Sequence, residues 1–331
     1  MTTPPSPAMP TRYAIVAPCR DEAAYMRRTL DSLLNQTIQP ALLLVVDDGS
    51  TDDTPKILAE YQPKMPYLRV LTRSDRGKRA VGPGVIEAFY AGLDTITMDE
   101  FDFIVKLDLD LDIPNRYFEI MCERMAAQPR LGTCSGKPYF PHPSTGQLVS
   151  EGCGDEMSVG MIKFYRVECF KQIGGFVREV MWDGIDCHRC RMLGWIAASW
   201  DEPDIRFTHL RPMGSSQQSI WKGRTRHGFG QWFMGTSFSY MTASAIFRLP
   251  KHPVLIGGLA MWWGYIKSAL TAKPRYNDLE FRKFLRAYQR DALIHGKAAA
   301  TRSLNERQAS RWNPKGGTQR KSEDSQRNTK G

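Results

Sequence analysis

Asp108-Leu109-Asp110 is the place in this sequence where spacing most directly suggests chemistry. The triplet follows the apolar run Phe103 to Leu107. Alternate residues leaving a strand point to the same side, so the two carboxylates can share one cation, directly or through water, and Asp112 continues that face. An all-oxygen site suits Mg²⁺ or Mn²⁺, with further ligands supplied by a diphosphate. A solvated acidic loop is the plainer alternative. A second apolar run ends in Asp47-Asp48-Gly49-Ser50. Ser50 or Thr51 reads as a helix N-cap, which leaves Asp47 and Asp48 to accept hydrogen bonds from a base or a ribose. A third run ends in Pro18-Cys19-Arg20-Asp21-Glu22. Three acidic strand ends meeting at one crevice repel each other unless something positive neutralises them, and a divalent cation does so economically.

The elements that would bring these ends together are short apolar runs alternating with amphipathic stretches. Tyr13 to Ala17, Leu42 to Val46, Leu68 to Leu71 and Phe103 to Leu107 read as strands. Their continuous rather than alternating apolarity implies that helices cover both faces. Met26, Leu30, Leu33 and Leu34 form one helical stripe, Ile57, Leu58 and Tyr61 a second, and Tyr117, Phe118, Met121 and Met125 a third. The pattern is β-α-β-α-β-α-β, an α/β fold around a mainly parallel sheet. Such sheets bind ligands outside the carboxyl ends of their strands, which is where the carboxylates fall.

Pro18-Cys19-Arg20-Asp21-Glu22, then VDDGSTDDT, then Gly77-Lys78-Arg79-Ala80, then KLDLDLD resemble in order the motifs of family 2 glycosyltransferases, over about residues 12 to 248. The resemblance implies a Rossmann-like GT-A domain and an inverting transfer from a UDP- or GDP-sugar. It assigns Pro18, Arg20, Glu22, Asp47, Asp48, Lys78 and Asp108 to the nucleotide-sugar, and Asp108, Asp110 and His209 to the divalent metal. Trp182-Asp183 is similar to the family's acidic pair at a helix start, with Trp182 in place of Glu. Counting back from Arg189 and Gly194, Asp183 matches the catalytic base, with Asp186 as the fallback. A helix-capping role is the bland alternative for Asp183, and a structural histidine for His209. Arg211, Arg224 and Arg226 stand as candidate diphosphate or acceptor contacts. Gln217-Gln218-Ser219-Ile220-Trp221 only partly resembles the Gln-x-x-Arg-Trp motif of processive members, which favours transfer of a single sugar. The implied partners are a nucleotide-sugar donor and a saccharide or lipid-linked acceptor, and no nucleic acid.

The 331 residues, 42% apolar and 24% charged, exclude a wholly disordered chain. A net charge of +10, part of it in the tail from Lys297, suits nucleic acid, anionic lipid headgroups or phosphorylated substrates. Seven cysteines at irregular spacings make no disulfide framework, and Cys187-x-x-Cys190 alone is a weak zinc signal. Residues 1–11 have no apolar core of a signal peptide and are expected to be disordered, which implies a cytoplasmic protein. The catalytic domain is expected over 12–218, a helical extension over 219–296 and a disordered basic tail over 297–331. Val254 to Ile266 is an uncharged run of 13 residues, too short to span a bilayer. It suits either a buried helix or one lying peripherally on the inner face of a membrane. A nucleotidyltransferase is a rival class, but it would carry a glycine-rich loop with a basic residue after the first strand. The non-enzymatic rival is a basic membrane- or nucleic-acid-binding protein whose acidic motifs are only solvated.

Overall fold

The computed structural model describes residues 11–74, 83–142, 144–211, 220–250 and 254–314. In chain order its elements are β1 (Tyr13–Cys19), α1 (Met26–Leu34), β2 (Leu42–Asp47), α2 (Thr54–Tyr61), β3 (Leu68–Thr72), α3 (Pro83–Leu93), β4 (Phe103–Leu107) and β5 (Leu111–Asp112). There follow α4 (Tyr117–Ala127), β6 (Leu131–Ser135), β7 (Pro138–Pro141), β8 (Leu148–Ser150), β9 (Ile162–Arg166), α5 (Val167–Gln172), α6 (Trp182–Met192), β10 (Ile196–Ser199) and β11 (Phe207–His209). The C-terminal helices are α7 (Ile220–Met234), α8 (Phe238–Arg248), α9 (Ile256–Leu270), α10 (Leu279–His295) and α11 (Lys297–Arg307).

The main sheet runs β10-β6-β9-β4-β1-β2-β3, parallel except for β9, which is antiparallel to both β4 and β6. All four strands expected from apolar runs are present. Both faces of β1 are covered. Tyr13, Ile15 and Ala17 pack in one cluster with Met26, Leu30 and Phe118, while Ala14 and Val16 pack on the other side with Ile86 and Phe89. That double burial is why these strands read as unbroken apolar runs. Registry then aligns their ends: Cys19 pairs with Asp47, and Val16 with Lys106, two residues before Asp108. A second sheet, β5-β11-β7-β8, begins immediately after the acidic triplet and returns His209 beside Leu111.

The C-terminal helices rest on the sheet-bearing part of the molecule through α6. Ile185 shares a core with Phe233, Met234, Phe281 and Leu285. One expectation needs correction: the stretch from Lys297 is helical as far as Arg307 rather than disordered. Ala300 and Leu304, one turn apart, bury against Tyr288 and Ala292, and Arg130 Nη2 donates to the Asn305 carbonyl at 2.7 Å. Two apolar contacts and a half-buried cation thus help to hold a segment whose composition is mostly polar. Gly194, at φ 83°, ends α6, and a Cβ there would stand 2.5 Å from the Trp312 backbone nitrogen. That close approach seats Trp312 edge-on against Trp195 at 5.8 Å. Trp312→Ala is expected to lower the unfolding free energy by about 1–2 kcal/mol, measured by urea denaturation.

Candidate active site

The first two strand ends are stitched together by their own side chains. The Asp21 N–H donates to Ser50 Oγ at 2.9 Å, the Thr51 N–H to Asp21 Oδ1 at 2.8 Å, and Arg20 Nη1 to the Asp48 carbonyl at 3.0 Å. Ser50 and Thr51 therefore do not cap α2, as expected from their position. Asp53 stands at the N-cap without a side-chain capping bond, and Asp52 before it accepts from the Thr54 N–H at 2.9 Å and from the Ala23 N–H at 3.0 Å. Pro18 lies buried at the end of β1. Asp47 is 1% exposed and accepts the Ser50 N–H at 2.9 Å, so it shapes the loop from below. Asp48 sits beside it in an ion pair with Arg73, at 2.6 Å, an arginine that follows β3 and that no spacing singled out. Lys78 and Arg79, like Gln217 to Ser219, lie outside the described residues.

The third strand end carries the densest charge. Lys106, 2% exposed in β4, pairs with Asp108 and donates to the Gly160 carbonyl at 2.9 Å. Asp110 Oδ2 lies 3.6 Å from His209 Nε2 and 3.7 Å from Arg211 Nε, and Arg211 reaches on to Glu22. His209 Nδ1 is 2.9 Å from Glu151 Oε1, a partner 58 residues away that sequence spacing could not suggest. The repulsion expected among the acidic strand ends is thus met largely by Arg73, Lys106, His209 and Arg211. Burial raises the Asp108 carboxyl above its ordinary range, with Asp110's charge adding to the effect against the pull of Lys106. For Asp110, burial works upward too, but His209 and Arg211 hold it below the ordinary value. Burial alone would lower His209, yet the neighbouring carboxylates of Asp110 and Glu151 lift it to about 9.

The donor set fits a divalent cation. Asp110 Oδ1 is buried without a hydrogen-bond partner, an oxygen whose desolvation a cation would offset. Among the described residues, however, no three His, Cys, Asp or Glu side chains converge into a preformed cage. Asp108, Asp110 and His209 therefore offer an incomplete set, the kind that a diphosphate would complete. A cation bound at His209 would take the place of its proton.

Asp183 lies in the first turn of α6, entered through Met181 at φ 67°, and is half-buried. Among the described residues its carboxylate has no hydrogen-bond partner, and its carbonyl accepts from Lys163 Nζ at 3.0 Å. Trp182 ties this helix start to the acidic strand end, its ring lying 5.4 Å from Lys106 Nζ and 5.6 Å from Lys163 Nζ. A Trp can therefore stand where the related motif has Glu. The fallback base is ruled out. Asp186 is fully buried in an ion pair with Lys163 and accepts from the Tyr165 hydroxyl. Cys187 and Cys190 are buried free thiols, with no zinc-type group among the described residues. Arg226 lines a cavity between α7 and α9.

Residues 14–147 match the description of glycosyl transferase family 2. The chondroitin synthase of Escherichia coli is 33% identical over 104 residues, 29% of this chain and 15% of that protein. The poly-beta-1,6-N-acetyl-D-glucosamine synthase of Staphylococcus epidermidis is 26% identical over 128 residues, 38% of this chain and 28% of that protein. The matched stretch is thus less than a third of the length of either relative. Among solved structures, GalNAc-T7 with UDP, GalNAc and Mn²⁺ superposes with a TM-score of 0.55 at 12% identity, over 86% of this chain and 58% of that one, a likeness of fold.

Proposed function

From the match of residues 14–147 to glycosyl transferase family 2, we propose that this protein moves one sugar from a nucleotide-diphosphate sugar to a hydroxyl acceptor with inversion. The acceptor hydroxyl attacks the anomeric carbon as the bond to the diphosphate oxygen breaks, and Asp183 takes the hydroxyl proton. The observation that carries this reading is the Asp183 carboxylate. It stands uncapped at a helix start that Trp182 ties to the strand end bearing Asp108 and Asp110. A divalent cation held by Asp108, Asp110 and His209 would supply charge stabilisation for the leaving diphosphate. Asp48, steadied by Arg73, and the Pro18 to Glu22 loop form the wall for the base and ribose. The donor would be a UDP- or GDP-sugar, in keeping with the UDP and Mn²⁺ of the structural neighbour.

The acceptor is a saccharide or a lipid-linked precursor, as the polysaccharide synthases among the relatives suggest, and the setting is the cytoplasmic side of the membrane, where buried thiols stay reduced. A calorimetric panel of nucleotide-sugars tests the donor half. One donor should bind in the presence of Mn²⁺, and Asp110→Ala should weaken that binding by roughly 10–100-fold. Equal binding by wild type and Asp110→Ala, with and without metal, would remove the metal-assisted reading.

A further inference from the structure

The sequence between Ile205 and Asn277 contains no Asp or Glu and ten Lys or Arg. The whole chain has 45 basic and 35 acidic residues, and this stretch holds ten of the former and none of the latter. Its described residues form β11 and helices α7 to α9; Arg206 pairs with Asp201 and Arg211 with Glu22, while the basic residues of α7 to α9 have no acidic residue on their own helices.

The same segment exposes apolar surface in a pattern. Along α9, Ile256, Leu259, Trp263 and Leu270 are 49%, 53%, 45% and 77% exposed, with the exposed Lys267 between the last two. Spacings of three and four residues place all five on one side of the helix. Ile246, Phe247 and Val254 extend the apolar surface, at 60%, 64% and 57% exposure. This is not a helix waiting to turn its apolar side inward. Its other side is already committed: a Cβ on Gly264 would stand 2.1 Å from the Thr225 carbonyl of α7, and one on Gly258 would stand 2.5 Å from the Ala245 carbonyl of α8. Backbones in that close contact lock the rotation of α9 and hold its stripe outward.

Beside the stripe, a cavity of about 440 Å³ opens between α7 and α9. Its lining includes Trp221, Lys222, Arg226, Trp263, Lys267 and Lys273. Indole rings paired with ammonium and guanidinium groups at the edge of an apolar surface are the chemistry of a membrane–water interface, where rings sit at headgroup depth and cations meet lipid phosphates. Among the described residues no helix is long and apolar enough to cross a bilayer.

We propose that the outward face of α9, with the adjoining cavity, docks this protein on an anionic phospholipid bilayer, the stripe lying in the interface and a lipid phosphate entering between α7 and α9. Charge complementarity selects this occupant: the basic, acid-free helices α7 to α9 match an anionic leaflet, whereas a second copy would present the same charge to itself. The face stands apart from Asp110 and Asp183 in sequence and makes its contact whether or not sugar transfer occurs.

Flotation of the full chain tests the proposal without donor, acceptor or turnover. The protein should rise with vesicles of phosphatidylcholine containing about a third phosphatidylglycerol at low salt and remain below with phosphatidylcholine alone. Lys267→Gln with Lys273→Gln should lower the partition coefficient roughly five-fold per charge, and Leu259→Gln with Trp263→Gln about ten-fold or more. Each variant should keep the wild-type unfolding midpoint. As a check on the unaltered chain, brominated anionic lipid should quench its tryptophan emission. Wild-type protein that stays at the bottom with anionic vesicles at low salt would overturn the proposal, as would variants of normal fold that float like wild type. Sedimentation showing a dimer that Leu259→Gln with Trp263→Gln converts to monomer would assign the face to a second copy instead.

Discussion

Asp183→Asn is expected to lower sugar transfer by roughly 10²–10⁴-fold while donor affinity stays within about two-fold of wild type. Asparagine keeps the shape of the side chain and removes only its capacity to take a proton. The helix should tolerate the change, because the Asp183 carboxylate makes no capping bond whose loss would unravel α6. Its backbone carbonyl, still bound by Lys163, holds the turn in place. Steady-state kinetics with saturating donor, combined with calorimetric donor binding, separates the two effects. A variant that binds donor normally and still transfers at near the wild-type rate would take the base role from Asp183. The neighbouring carboxylate offers no substitute, since Asp186 is fully buried and paired.

The convergence of the strand ends was legible in the sequence, and the reason is local. β1, β2 and β4 are covered on both faces, so each reads as an unbroken apolar run, and the parallel register of β1 with β2 and β4 places the residues after each run at one edge. Residues whose function depends on a partner in another element were not legible. Lys106 and Lys163 look like polar interruptions in apolar strands until Asp108, Asp186 and the Trp182 ring between them are seen. Glu151 follows the short exposed strand β8 and matters only because the second sheet brings His209 to it. Ser50 and Thr51 have the right chemistry for capping, but Asp21, in the left-handed region at φ 53°, claims both of them. The ordering of α11 depended on a groove over α10 that its own composition does not announce.

Lys163→Met should be the most destabilising single substitution near the site, at about 3–5 kcal/mol. Lys163 and Asp186 are both fully buried, and the ammonium also serves the Asp183 carbonyl. Methionine fills the volume but leaves a carboxylate in the interior with the neutral Tyr165 hydroxyl and Cys187 N–H, and no longer the Lys163 ammonium, to meet its charge. Burial already raises the Asp186 carboxyl above its ordinary value, and removing the lysine pushes it further in the same direction. That fixes the sign of the pH dependence. In the variant the folded state holds this proton more tightly than the unfolded chain does, so the deficit relative to wild type is largest near pH 8 and shrinks toward about pH 5 as Asp186 takes up a proton. Adding Asp186→Asn to Lys163→Met removes the uncompensated charge, and it should recover most of the loss at pH 8 while abolishing this pH dependence. Urea denaturation of wild type and both variants at the two pH values reads the cycle. A Lys163→Met deficit that is small, or that grows as pH falls, would show that the pair does not hold α6 through charge. If α6 is held this way, Lys163→Met should also slow transfer in proportion to the loosening of Asp183, and the double variant should restore both stability and rate together.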